Sequence, residues 1–111
     1  MIKFVVGSDF KRNFKRLNKK YHSLPDDVKR LKQELLINPL MGIDLGGGVR
    51  KIRLAIASKG KGKSGGARVI TYTVTQNAPD EYQVTLLSIY DKGEIENLTD
   101  TYIQTLVDEA Q

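Results

Sequence analysis

The chain has 111 residues, with 18 Lys plus Arg against 13 Asp plus Glu and a formal net charge of +5; 40% of residues are hydrophobic and 28% charged. That profile suits one globular domain over residues 1–111, since a chain this short buries too little surface for two independent cores. With no cysteine and one histidine, His22, the composition excludes disulfides, thiolate metal sites, Cys nucleophiles, paired-His nucleases and three-His zinc centres.

Ile2–Val6 is short, β-branched and aromatic, and it reads as a strand. Gly7-Ser8-Asp9 supplies a turn and a helix-cap candidate. Phe10, Phe14, Leu17 and Tyr21 then recur at helical spacing on one face. Ser23-Leu24-Pro25-Asp26-Asp27 starts a second helix, with proline near its first position and aspartates at the positive end of its dipole. Val28, Leu31 and Leu35 form its apolar stripe, and Asn38-Pro39 stops it. So few residues join the two helices that they form a hairpin.

Pro39–Gly48 reads as a glycine-rich loop; eight of the ten glycines lie between Gly42 and Gly66. Val49–Ala57 reads as a strand with Lys51 and Arg53 on one face and Ile52 and Leu54 on the other. Lys59–Gly66 is a basic loop, and Arg68–Thr75 and Tyr82–Tyr90 are the clearest strands. A last helix runs from Leu98 or Thr99 to about Glu109, with Tyr102, Leu106 and Ile103 inward. The expected fold is α+β: an N-terminal helical hairpin on a mainly antiparallel four-stranded sheet, with a C-terminal helix.

Charge is unevenly spread. Residues 1–38 hold ten bases and four acids; Leu45 to Pro79 holds seven bases and no acid; Asp80 onward holds eight acids and one base, Lys92. An acid-free block of 35 residues points to a surface for a polyanion, or to a solvated basic loop neutralised within the fold by the acidic tail. The first helix carries Lys11, Arg12, Lys15, Arg16, Lys19 and Lys20 opposite its apolar face. Like charges at i,i+4 cost roughly 0.2–0.5 kcal/mol per pair in an isolated helix, so this face either meets an anion or is tolerated by the core.

Gly62-Lys63-Ser64 looks like the end of a phosphate-binding P-loop. The earlier glycine is replaced by Ala57, and a strand rather than a helix follows, so nucleotide hydrolysis is rejected. The loop can still favour anions through exposed amides and lysines. If the three later strands form a meander, Lys51, Arg53, Arg68 and Lys92 can gather on one sheet face. Such a cluster could hold a phosphodiester and stabilise added charge, or it could be an ordinary polar face. His22 reads as an exposed turn residue. Tyr72 and Tyr90 read as core aromatics, with base stacking the alternative.

The runs KIRLAIASKGKGKSGGARVITY (Lys51–Tyr72) and LLSIYDKGEIENL (Leu86–Leu98), with LPDDVKRLKQELLINP in the hairpin, resemble the RelE/HigB family of bacterial toxins. The likeness is closest to the HigB-like branch, which has a lysine- and glycine-rich loop between its second and third strands. It implies a cytoplasmic, ribosome-dependent mRNA endonuclease, neutralised by a cognate antitoxin of helix-turn-helix type. In the family, the ribose 2′-hydroxyl attacks the adjacent phosphate, and basic side chains replace the histidines of ordinary ribonucleases. By position the resemblance assigns Lys51, Arg53, Arg68 and Lys92 as catalytic. It gives Lys59, Lys61, Lys63, Tyr90 and the helix lysines Lys11, Lys15 and Lys19 as RNA or ribosome contacts. No metal, cofactor or membrane is implied: no apolar run approaches the ~18 residues of a span, and MIKFVVGSDF lacks a signal peptide's apolar stretch. Two positions depart from the family pattern. Gly93 stands where the family has an arginine after the basic position, and the family's base-stacking tyrosine position falls near Leu98, with Tyr90 the substitute candidate. The other readings are a gyrase inhibitor like the ParE relatives and a non-catalytic nucleic-acid-binding module.

Overall fold

The β-branched run at the N-terminus forms β1 (Ile2–Val6), which pairs in parallel with β5 (Tyr82–Asp91) at one edge of the sheet. Gly7 turns the chain directly into α1 (Ser8–Lys20), and its amide donates to the Leu86 carbonyl at 2.9 Å. The helical spacing of Phe10, Leu17 and Tyr21 places all three in the core, with Phe14 half-buried beside them. A short turn carrying exposed His22 leads to α2 (Leu24–Ile37), which buries Leu24, Val28, Leu31 and Leu35. Against one sheet face these two helices cover Ile52, Leu54, Val69, Val84, Leu86 and Ile89. A computed structural model describes all of residues 1–111.

The remaining elements are β2 (Ile43–Gly46), β3 (Val49–Leu54), β4 (Ala67–Thr75) and α3 (Asp100–Ala110). The sheet has five strands in the order β1-β5-β4-β3-β2, antiparallel except for the β1–β5 pair. The helix α3 lies on the opposite face from the hairpin. It buries Ile103, Leu106 and Val107 with Val49, Ile70, Leu87 and Tyr90. An irregularity between Ile70 and Thr71 pairs them with Ser88 and Leu86 and leaves Leu87 over. Such a bulge breaks the alternation, which explains how Leu86 serves one core cluster and Leu87 the other.

The α+β class and the helical hairpin are as the sequence implies, and three details differ. The strand count is five, because β2 lies inside the segment read as a glycine-rich loop. It is four residues long and wholly exposed, ends on Gly46 and is flanked by Gly42, Gly47 and Gly48, all four glycines at positive φ, so neither burial nor apolar alternation marks it. The third strand stops at Leu54 rather than Ala57, and a 3-10 turn covers Ala57–Lys59. The cause is Asp27, buried at the start of α2, whose carboxylate accepts the Ala57 amide at 3.2 Å and draws the chain toward the helix. In α3 the inward residues are Ile103, Leu106 and Val107; Tyr102 is 38% exposed. Its hydroxyl instead donates to Asp9 across the gap to α1.

Where β3 and β4 begin to pair, space allows only glycine. A Cβ on Gly66 would lie 2.2 Å from the Leu54 carbonyl oxygen and 3.1 Å from the Ala55 Cα, both backbone atoms. Gly66→Ala is therefore expected to destabilise the fold by about 1–3 kcal/mol, the range for overpacking a tight site. Urea unfolding checks it, and a midpoint equal to wild type would contradict the geometry.

Candidate active site

Strand register gathers the basic residues. Arg53 lies directly opposite Arg68, and Arg68 directly opposite Tyr90, so the three form one row across β3, β4 and β5. In the next row Lys51 faces Ile70, which faces Ser88. Because alternate residues share a face, Lys51, Arg53 and Arg68 project from the α3 side of the sheet. Past the end of β5 the Lys92 amide still donates to the Gly66 carbonyl at 3.1 Å. The same alternation thus brings Lys92 to this face, and the sheet unites all four residues picked out as catalytic.

Like charges directly opposite on a sheet repel, yet no carboxylate relieves these. Ion pairs form at Arg12, Arg16, Lys20, Arg30 and Lys59, and none at Lys51, Arg53, Arg68 or Lys92. Internal neutralisation by the acidic tail does occur, on α1 and at one lysine of the basic loop: Arg16 bonds Glu94 at 3.2 Å, Lys20 lies 3.8 Å from Asp91, and Lys59 bonds Asp91 at 2.6 Å. The sheet cluster is left with neutral partners. Lys51 Nζ donates to Asn97 Oδ1 at 3.0 Å, and Lys92 Nζ to the Glu96 carbonyl at 3.3 Å.

Arg68 is held most firmly. It is 6% exposed, and its guanidinium donates to the carbonyls of Lys63 (3.0 Å), Ala67 (3.1 Å) and Ser64 (3.2 Å). A guanidinium has five N–H groups, so two remain for a ligand. The basic loop therefore supplies backbone acceptors that fix this arginine, a role its lysine-rich composition does not reveal. Lys61 and Lys63 point to solvent, while Lys59 does not.

Lys59 Nζ instead bonds Asp91 Oδ1 at 2.6 Å and is 14% exposed. Asp91, 1% exposed, also accepts from the Tyr21 hydroxyl at 2.6 Å and the Gly93 amide at 2.9 Å. This knot ties α1, the loop and the end of β5 together. Burial alone would raise the Asp91 pKa; the Lys59 and Tyr21 hydrogen bonds and the Gly93 amide outweigh it and hold the carboxyl below its ordinary value. The unfolded carboxyl then takes its proton near pH ~3.9 and the folded one lower, so the unfolded state binds more protons in acid. Stability from this group is expected to be complete above about pH 5 and to fall as pH drops through the depressed pKa. Asp91→Asn is expected to flatten that acid limb in denaturation curves taken at a series of pH values.

Tyr90 departs from the stacking role. Its side chain is 2% exposed, so neither ring face is open to a base, and its hydroxyl has no hydrogen-bond partner. Burial raises its pKa, opposed by the charge of Arg68, and the phenol stays protonated at neutral pH. Lys11, Lys15 and Lys19 are exposed and unpaired along α1, well separated in sequence from the sheet cluster. Sequence reasoning missed Asn97, Asp91 and Tyr21. A lone acid ending an apolar strand was a signal for Asp91, whereas nothing in the sequence marked Asn97.

No group of three or more His, Asp or Glu side chains is placed to hold a metal ion, and no helix is long and apolar enough to cross a membrane. The arrangement can bind an anion from fixed donors and stabilise charge that develops on it. A family model described as the RelE toxin of the RelE/RelB toxin–antitoxin system matches residues 8–111. The match takes in both helices of the hairpin, the basic loop and the sheet face, and the chain belongs to the RelE toxin family.

Proposed function

We propose that this toxin is a ribosome-dependent endoribonuclease of the HigB-like branch, acting on mRNA in the ribosomal A site. The observation that carries the reading is the row of Arg53 and Arg68 with Lys51 and Lys92 beside it, four bases on one face without a carboxylate among them. A ribose 2′-hydroxyl attacks the adjacent phosphate, the bond to the 5′-oxygen breaks, and the products are a 2′,3′-cyclic phosphate and a 5′-hydroxyl. Extra negative charge builds on the phosphoryl oxygens during attack. Donors already fixed in place, such as Arg68 on its loop carbonyls, stabilise that charge without reorganising. Lys51, steadied by Asn97, and Lys92 complete the cradle. Lys61, Lys63 and the α1 lysines are exposed and are assigned to contacts with the RNA backbones of the ribosome, whose contribution is salt-dependent. Lys59 is assigned instead to holding the loop.

The partner that silences the toxin is an antitoxin, for which we propose a helix-turn-helix protein, and the site of action is the cytoplasm, where ribosomes are. Primer extension of cellular mRNAs after brief induction tests the reading. New 5′ ends within translated frames, absent when initiation is blocked, are expected. Growth arrest with intact mRNA and inhibited DNA supercoiling would overturn it in favour of a gyrase inhibitor. Binding without cleavage or toxicity would reduce the protein to a nucleic-acid-binding module.

A further inference from the structure

Arg68 is the most deeply buried of the four clustered bases, and its bonds leave a defined remainder. Nη1 donates to the carbonyls of Lys63 and Ala67 at 3.0 and 3.1 Å, and Nη2 to that of Ser64 at 3.2 Å. One Nη2–H and the Nε–H stay free. Such a pair of parallel donors suits two oxygens of one phosphate. Two of the three acceptors belong to consecutive residues of the basic loop, so the Ser64 backbone lies against the guanidinium. Nothing acidic competes there, since Leu45 to Pro79 contains no carboxylate.

Ser64 also differs from the other serines of the chain. It is exposed, in a stretch outside any helix or strand. Ser88 is buried, and Ser23 and Ser58 engage each other, Oγ to Oγ at 2.9 Å. Ser8 is exposed but opens α1, with no basic run before it. Ahead of Ser64 stand Lys59, Lys61 and Lys63 at alternate positions, the last two exposed. Gly62, at φ +62°, and Gly65 bracket the segment and let it turn. An exposed hydroxyl in an irregular loop behind a run of bases has the charge pattern by which kinases select substrates.

We propose that Ser64 is a phosphorylation site and that its phosphate docks on the free N–H pair of Arg68, closing the cradle to RNA. In the transfer, Ser64 Oγ attacks the γ-phosphorus of a nucleoside triphosphate held by a serine kinase. The Oγ–P bond forms, the bond to the β-phosphate oxygen breaks, the diphosphate leaves, and the hydroxyl proton passes to the kinase's base. A phosphoserine carries about −1.5 to −2 charge and three acceptor oxygens, and beside an arginine it makes charge-assisted hydrogen bonds. It takes the same donors that an RNA phosphate needs, and it holds them from within the chain, at an effective concentration of the order of millimolar. The loss of cleavage rests on the endoribonuclease reading, whereas the docking does not.

The test treats the purified full chain with ATP and a serine kinase that prefers basic sequences. Mass spectrometry is expected to place one phosphate on Ser64, with none incorporated in Ser64→Ala. In 31P NMR that phosphate should titrate clearly below the ordinary phosphoserine midpoint near pH ~6, and Arg68→Gln should return it there. The Arg68 Nε–H resonance of the wild-type chain should move on phosphorylation, a readout that needs no variant. On programmed ribosomes the phosphorylated protein should cut at least about 100-fold more slowly, the loss of one fixed donor, and phosphatase treatment should restore the rate. No incorporation, phosphate on Ser8 or Ser58 instead, or an ordinary midpoint with an unmoved Arg68 resonance would overturn the proposal even if the protein cuts mRNA. Undiminished cleavage by the phosphorylated protein would overturn it equally. A docked phosphate in a protein that cuts no mRNA in either form would uphold the docking and overturn the nuclease reading.

Discussion

Arg68→Ala is expected to lower the rate of translation-dependent cleavage by about 100- to 1,000-fold, the loss seen when one preorganised donor to a developing oxyanion is removed. The side chain sits in the middle of its row, with Arg53 on one side and Tyr90 on the other. Three backbone carbonyls from the loop and from its own strand hold the guanidinium in place before any substrate arrives. A buried cation with no carboxylate partner is unfavourable on its own, and an incoming phosphate supplies the missing counter-charge. Arg68→Lys keeps the charge and loses the fork that bonds two oxygens at once, so it should fall between alanine and wild type. Single-turnover cleavage on programmed ribosomes checks the series. A wild-type rate in the alanine variant, at unchanged melting temperature, would remove Arg68 from the site.

Asp91→Ala is expected to have the largest effect on stability, about 3 kcal/mol. Breaking a buried ion pair by removing one partner costs about 3–5 kcal/mol because the other charge is stranded, and Lys59 keeps enough access to water to place the loss at the low end. The Tyr21 hydroxyl and the Gly93 amide lose their acceptor as well. For a chain of this size the melting temperature should fall on the order of 10 °C. Asp91→Asn, which keeps an acceptor but not the charge, should cost less. Because Asp91 holds Lys59 at one end of the loop that fixes Arg68 at the other, cleavage should weaken in both variants even below their melting temperatures. A thermally unchanged Asp91→Ala protein would show that the knot contributes nothing.

These two residues also mark how far the sequence alone reaches. Elements with a strong period were legible: the Phe10–Tyr21 and Val28–Leu35 stripes and the long apolar strands came through with shifts of a residue or two at their ends. Strand β2 did not, because an exposed edge strand of four residues has no buried face to impose a pattern. Helical spacing points Tyr102 inward, since an aromatic at such a position normally packs. Instead its hydroxyl is drawn to buried Asp9, a partner 93 residues away. The basic cluster was legible as a set, since alternation and strand order fix which faces meet. What each lysine does was not. Lys59, Lys61 and Lys63 are equivalent in sequence, and only the position of Asp91 separates the tethered one from the two exposed ones.

The central claim is that a sheet face of arginine and lysine cuts mRNA on the ribosome without histidine. Purified protein, purified ribosomes carrying a defined mRNA with the A site empty, and end-analysis of the RNA test it most directly. Cleavage within the A-site codon is expected, leaving a 2′,3′-cyclic phosphate and a 5′-hydroxyl. It should be lost when ribosomes are omitted, and lost on intact ribosomes with Arg68→Ala. Uncut mRNA on ribosomes that the wild-type protein has demonstrably bound would contradict the account.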